Sequence, residues 1–149
     1  MNPVLHLGWV WGGRALLAFC ILAALLRGGA PEKWGAAILF LSWISTPLLD
    51  DHQPFTWAIF WADIAAFVAL SILAIVSRRL WAMVAAACQA VCVAVHIMVL
   101  MGPMIKTWAY YTATGLWGGT APLVALAVGI LALKRPRQAP DTPTRSTRP

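Results

Sequence analysis

Asp63 and His96 are the residues of this chain best placed to do chemistry. Each interrupts an apolar run, Trp57 to Val76 and Leu80 to Met101 respectively. An ionisable group inside such a run is costly, so it tends to face inward, take a partner and mark function. If the two runs are helices joined at Ser77-Arg78-Arg79, they form an antiparallel hairpin. Asp63 follows Trp57 by six residues and His96 precedes Met101 by five. At 1.5 Å per residue both then lie about 8 Å beneath the same end. They become each other's nearest ionisable candidates. The pair could be a hydrogen bond that sets helix register, a proton relay or substrate-binding group, or a pair exposed to a water-filled vestibule.

His96 shares a helix face with Cys92 and Gln89, four and seven residues earlier, and Cys88 flanks that stripe. Cys-x3-Cys-x3-His suits Zn or Cu(I), although small residues at helical spacing ordinarily pack. Asp50-Asp51-His52 could hold a divalent cation, but adjacent polar residues in a turn ordinarily form a solvated loop. Tyr110, Tyr111, Thr112 and Thr114 begin the last apolar run at a depth similar to that of Asp63 and His96. With Arg14, Asp50, Asp51, His52 and Gln89, the two tyrosines complete a polar cluster around the pair; His6 and Lys106 fall on the same side. Haem would need axial ligands such as facing histidines, and His6, His52 and His96 belong to separate segments. No HExxH, GxSxG, Walker A or dinucleotide fingerprint occurs. The expectation is a chain without evident catalytic activity, resident cofactor or metal.

The elements that must position these residues are membrane helices. The chain of 149 residues is 61% hydrophobic and 11% charged, against about half and a quarter in soluble domains. Its mean hydropathy is +0.77. Apolar segments run from Val4 to Leu26, Trp34 to Leu49, Trp57 to Val76, Leu80 to Met101 and Trp108 to Leu133. The expected fold is an all-α polytopic bundle of five transmembrane helices over residues 1–135, with a disordered basic tail over 136–149. A four-helix alternative leaves one of the first two segments in the interface or re-entrant. Arg14 interrupts the first segment, and Pro47 should make the outer end of the second irregular.

Charge sets the expected orientation, because Lys and Arg of short loops stay cytoplasmic. Arg27, Lys33, Arg78, Arg79, Lys134, Arg135, Arg137, Arg145 and Arg148 share one side, leaving only Arg14 and Lys106 of the eleven basic residues elsewhere. The N-terminus is therefore expected outside and the C-terminus in the cytoplasm. Tryptophan prefers the headgroup level. Trp9, Trp11, Trp57, Trp61 and Trp108 fall near the outer ends, Trp34 and Trp81 near the inner ends. The net charge of +6 owes much to the tail and comes with no nucleic-acid-binding module.

Close helix packing in lipid favours small residues. Gly115 and Gly119 form a GxxxG, and Ala85, Ala86, Ala87, Ala90 and Ala94 line the fourth helix. Pro122 should bend the fifth just after Gly118-Gly119-Thr120. Cys20, Cys88 and Cys92 sit in apolar runs and suggest no disulfide framework. The first segment lacks a small-x-small cleavage site after its apolar core, so it reads as a retained helix.

Trp61-Ala62-Asp63-Ile64, Ser77-Arg78-Arg79-Leu80-Trp81, Gln89, His96 and Ala109-Tyr110-Tyr111-Thr112-Ala113-Thr114 resemble a family of small, uncharacterised multi-pass inner-membrane proteins of alphaproteobacteria, over Trp57 to Leu133. The resemblance implies a bacterial inner-membrane location and brings no activity with it. Three functions are compatible with the sequence. One is an accessory or interaction subunit of a membrane complex or homo-oligomer, with the Asp63–His96 pair serving packing. Another is a small transporter or proton-coupled permease using the outer polar cluster. The third is a metal or redox protein using His96 with Cys88 and Cys92, or the Asp50 to His52 loop. No nucleic-acid partner is expected; the bilayer is.

Overall fold

The computed structural model describes residues 3–50, 55–102 and 106–133, with side chains at 8 and from 11 onward. Asp51, His52, the side chain of His6 and the tail lie outside the described residues. Among the described residues the chain is all-helical: α1 (Pro3–Arg27), α2 (Ala30–Leu49), α3 (Trp57–Ser77), α4 (Leu80–Met101), α5 (Thr107–Thr114), a π-helical segment (Gly115–Thr120) and α6 (Ala121–Leu131). The last three run on as one rod. Among the described residues, α3, α4 and the Thr107–Leu131 rod are long and apolar enough to cross a membrane, as a membrane protein requires.

Local chemistry explains the breaks. Gly28 donates its N–H to Ala24 O at 3.0 Å, closing α1, and Pro31 opens α2, where a missing N–H costs nothing. Arg78 ends α3 in the left-handed region, φ 51°, with its N–H on Ala74 O. That reversal folds α3 and α4 into a hairpin. Helix α1 runs through Arg14, and, contrary to the expected irregularity, α2 runs unbroken through Pro47.

Helix α4 is the axis of the bundle, packing on α3, α5, the π segment and α6. It buries Trp81, Ala82, Ala85, Ala86, Cys88, Gln89, Cys92 and His96, a stripe of helical period. Ala87 and Ala94 face outward instead, and Ala90 is half-buried; the packing stripe is displaced by about one residue from the run of alanines. Small side chains on the buried stripe let the helix axes approach, while Met83, Val84, Val91 and Met98 cover the outer face.

The end of the bundle that carries Arg27, Arg78 and Arg79 is closed around Trp81, which is only 7% exposed. Its ring lies between Gly35 of α2 and Gly129 of α6; a Cβ at either position would fall 2.4 Å from the indole. Its Nε1 donates to Glu32 Oε1 at 3.2 Å, and Glu32 is fully buried. The other carboxyl oxygen accepts the Gly29 N–H at 2.9 Å, one half of a capping box at the start of α2. One acid thus joins the entry of α2 to the start of α4. Trp81, expected at the lipid headgroups, is a core residue, whereas Trp34 stands 66% exposed at the same end.

Candidate functional site

At the opposite end the helices part around a cavity of about 810 Å³, bordered by Arg14, Trp43, Asp50, Asp63, His96 and Tyr110 among others. Helix α1 contributes Arg14, α2 Trp43 and, just past its end, the capping residue Asp50, α3 Asp63, α4 His96, and α5 Tyr110 and Tyr111. With the π segment, which lines it through Gly118 and Gly119, six helical segments converge on one space.

Asp63 is the hub of the polar wall. Its Oδ2 lies 2.8 Å from His96 Nε2, and Gln89 Nε2 donates to its Oδ1 at 2.9 Å. The Cys92 thiol donates to Oδ2 at 3.6 Å. On the far side of the imidazole, Tyr110 Oη lies 2.8 Å from His96 Nδ1. A neutral imidazole satisfies both contacts as a chain: Tyr110 O–H donates to Nδ1, and Nε2–H donates to the Asp63 carboxylate. The opposite tautomer would set two acceptors, Nε2 and the carboxylate Oδ2, against each other. Phe55 and Phe60 hold the ring edge-on, with centroids 5.9 and 5.7 Å away.

Burial is graded across the cluster. Gln89 and His96 are 0% and 1% exposed, while the Asp63 side chain is 13% exposed and borders the cavity. Two buried polar atoms here, Gln89 Oε1 and Trp43 Nε1, have no protein partner. Arg14, which also borders the cavity, has its guanidinium 5.2 Å from the Trp11 ring centre, a cation–π contact that favours the charge beside an apolar surface.

The π segment shapes the cavity wall. Pro122 has no N–H for the carbonyl four residues before it, and the ladder widens: Ala121 N–H reaches Leu116 O, five residues back. Thr120 Oγ1 bonds Gly115 O at 3.3 Å. The wide turn brings Gly118 against α4, where a Cβ would fall 2.7 Å from Cys92 Sγ and 3.7 Å from Asp63 Oδ1. Only a glycine lets the rod approach so closely there. Such one-turn π insertions occur frequently at functional sites.

The structure brings Asp63, His96, Gln89 and Tyr110 into one network and sets Arg14, Asp50 and Tyr111 around the same cavity. Tyr111 stacks near Tyr110 at 5.3 Å and is 54% exposed. Asp51 and His52 lie outside the described residues. Gly119 packs by Trp43, and Gly115 borders the cavity. Of the two α4 cysteines, Cys92 joins Asp63 and His96 in a group whose donor atoms lie within 4.8 Å of one another, and Cys88 stays outside it. Sequence reasoning overlooked Gly118, Trp43 and Glu32. The Gly118-Gly119 pair before Pro122 signals the first. Glu32, at the third position of a helix opened by Ala30-Pro31, carries a capping signature. Trp43, deep in a short apolar run, gives only a depth. No protein family, curated protein or solved structure matches this chain.

Proposed function

We propose that this chain is an inner-membrane bundle of five spans, N-terminus outside, whose cavity receives a small polar or amphipathic molecule from the outer side and presents it to Asp63, His96 and Tyr110. The observation that carries this reading is the cavity that opens onto the buried pair. A pair sealed among apolar side chains would support a purely structural hydrogen bond, as in an accessory subunit. Asp63 instead borders a space of about 810 Å³, within the size range of ligand sites, which combine apolar walls with a few convergent polar groups.

Orientation rests on the basic residues of the short connections, Arg27, Lys33, Arg78 and Arg79, all at the end away from the cavity. Within the site, the Asp63 carboxyl and the Arg14 guanidinium border the same cavity. The chain from Tyr110 through His96 to Asp63 can pass a proton between a bound molecule and the carboxylate without moving a heavy atom far. This favours a ligand carrying an exchangeable proton. Binding is the activity one bundle supports; a transport cycle would call for a second copy or a larger complex, because the chain shows no internal repeat.

Thiol labelling tests the reading. Thr114 borders the cavity, and the native cysteines are buried. Thr114→Cys should react with a membrane-impermeant maleimide added to intact spheroplasts, as should Tyr111→Cys at the rim. Labelling at Tyr111→Cys without Thr114→Cys means a closed cavity, and labelling of both only after permeabilisation reverses the orientation; either result sinks the proposal.

A further inference from the structure

Three side chains in the cavity wall carry more than a hydrogen-bond network requires. Asp63 Oδ2, Cys92 Sγ and His96 Nε2 come from two helices and lie within 4.8 Å of one another. Two of the separations are 2.8 and 3.6 Å. Donors bonded tetrahedrally to Zn²⁺ at its usual N, O and S distances stand about 3.3–3.6 Å apart. An ion therefore needs the His96–Asp63 edge to open by roughly half an ångström and the Cys92–His96 edge, which is no longer than 4.8 Å, to settle near the same tetrahedral spacing.

The outer contacts of the trio are those of a metal site. Metal-bound histidine fixes its tautomer through the other ring nitrogen, and bound carboxylates are themselves hydrogen-bonded. Here Tyr110 Oη holds His96 Nδ1 at 2.8 Å, and Gln89 Nε2 holds the carboxyl oxygen that does not face the trio at 2.9 Å. The Gln89 amide is fully buried, and its Oε1 has no partner. Gly118 packs its backbone directly against Cys92, where a Cβ would fall 2.7 Å from the Sγ. Asp63 and His96 border the cavity, so a three-ligand ion would turn its open position toward it, as catalytic and exchangeable zinc sites do.

Charge selects the ion. A thiolate and a carboxylate neutralise a divalent cation, giving a neutral complex where a net charge is costly. Cu(I) would leave one negative charge and meets a hard carboxylate it does not favour. Mg²⁺ and Ca²⁺ take oxygen ligands, not thiolate and imidazole. We infer that Asp63, Cys92 and His96 bind one zinc-like divalent transition-metal ion, with Tyr110 and Gln89 positioning the ligands and the fourth position open to the cavity. On binding, the metal–sulfur bond forms, the Cys92 S–H bond breaks, and one proton leaves per ion. The imidazole stays neutral, its proton moving from Nε2 to Nδ1, where it donates to Tyr110 Oη. The inference rests on the ligand-binding reading only for the ion's route and open position.

Cobalt(II) tests it on the full chain in detergent. Titration should give a thiolate-to-cobalt charge-transfer band saturating at one equivalent, displaced by Zn²⁺, with affinity rising with pH as protons compete less. Cys92→Ser should abolish the band, Cys88→Ser should leave it intact, and Tyr110→Phe should weaken binding about 10–100-fold. The absence of a thiolate band with folded protein, or a band that survives Cys92→Ser, overturns the site. If Thr114→Cys labels from outside while cobalt does not bind, the metal inference fails and the ligand-binding reading stands; the converse leaves the metal site and removes the open cavity.

Discussion

The two ends of the bundle each hold a nearly buried carboxylate, and they treat it in opposite ways. Glu32 is sealed: each oxygen has a protein donor, and its partner Trp81 fills the space between two glycines. Asp63 also has donors on both oxygens, but it fronts a cavity, and its neighbours Gln89 and Trp43 keep polar atoms without protein partners. A third such atom, Ser77 Oγ, lies at the Arg78 end, at the last residue of α3. The difference teaches that burial of an acid alone does not identify a site. What distinguishes Asp63 is the open space it borders.

The comparison breaks most readily at Glu32. Glu32→Ala strands the Trp81 and Gly29 N–H groups and leaves a void, and should cost about 3 kcal/mol, as loss of one partner in a buried charged contact does. Chemical unfolding in detergent would measure it; a loss below about 1 kcal/mol would remove Glu32 from its place as a structural joint. Next in size, Gly129→Ala forces a methyl against the Trp81 ring and should cost about 1–3 kcal/mol. Combining it with Trp81→Leu should recover part of that loss relative to Trp81→Leu alone, which sharpens the assignment of the clash.

Asp63→Asn keeps shape and most hydrogen bonding, so its stability cost should be near 1 kcal/mol, while capture of a cavity ligand or of cobalt is lost. A cost equal to that of Glu32→Ala, with ligand or cobalt capture preserved, would make the two ends alike and the cluster structural. The smallest effect belongs to Arg79→Gln. Arg79 Nε stands 3.8 Å from Glu32 Oε1 with its side chain 47% exposed, and such solvent-facing pairs contribute about 0–1 kcal/mol. A larger loss would show that the joint at Glu32 depends on the arginine as well as on Trp81.

Depth counting along α3 and α4 is what made part of the cavity cluster legible. Two apolar runs with a short basic break make a hairpin, and in a hairpin equal distance from one end means proximity; Asp63 and His96 follow from that. Gln89 and Cys92 follow from helical period on the same face. Tyr110 was placed by depth alone, and its bond to His96 Nδ1 depended on how the rod rotates about its axis. The basic end was less legible, since Trp81 and Trp34 read alike as headgroup tryptophans. Which of them turns inward depends on Gly35 and Gly129, residues of two other helices.

Composition and periodicity by themselves determined an all-helical chain built of apolar segments, the punctuation between them, the concentration of Lys and Arg at one end, and the level of the ionisable residues along their helices. These are local properties, set by rise per residue, turn chemistry and the cost of polar groups in an apolar run. Tertiary structure alone decided helix rotation and separation, and with them which acid is enclosed and which faces a cavity. It also decided that Cys92 rather than Cys88 joins Asp63 and His96, and that a π turn ahead of Pro122 lets Gly118 close on them. Those outcomes arise from packing between segments far apart in sequence, where a rotation of a fraction of a turn exchanges a packing face for a lining one.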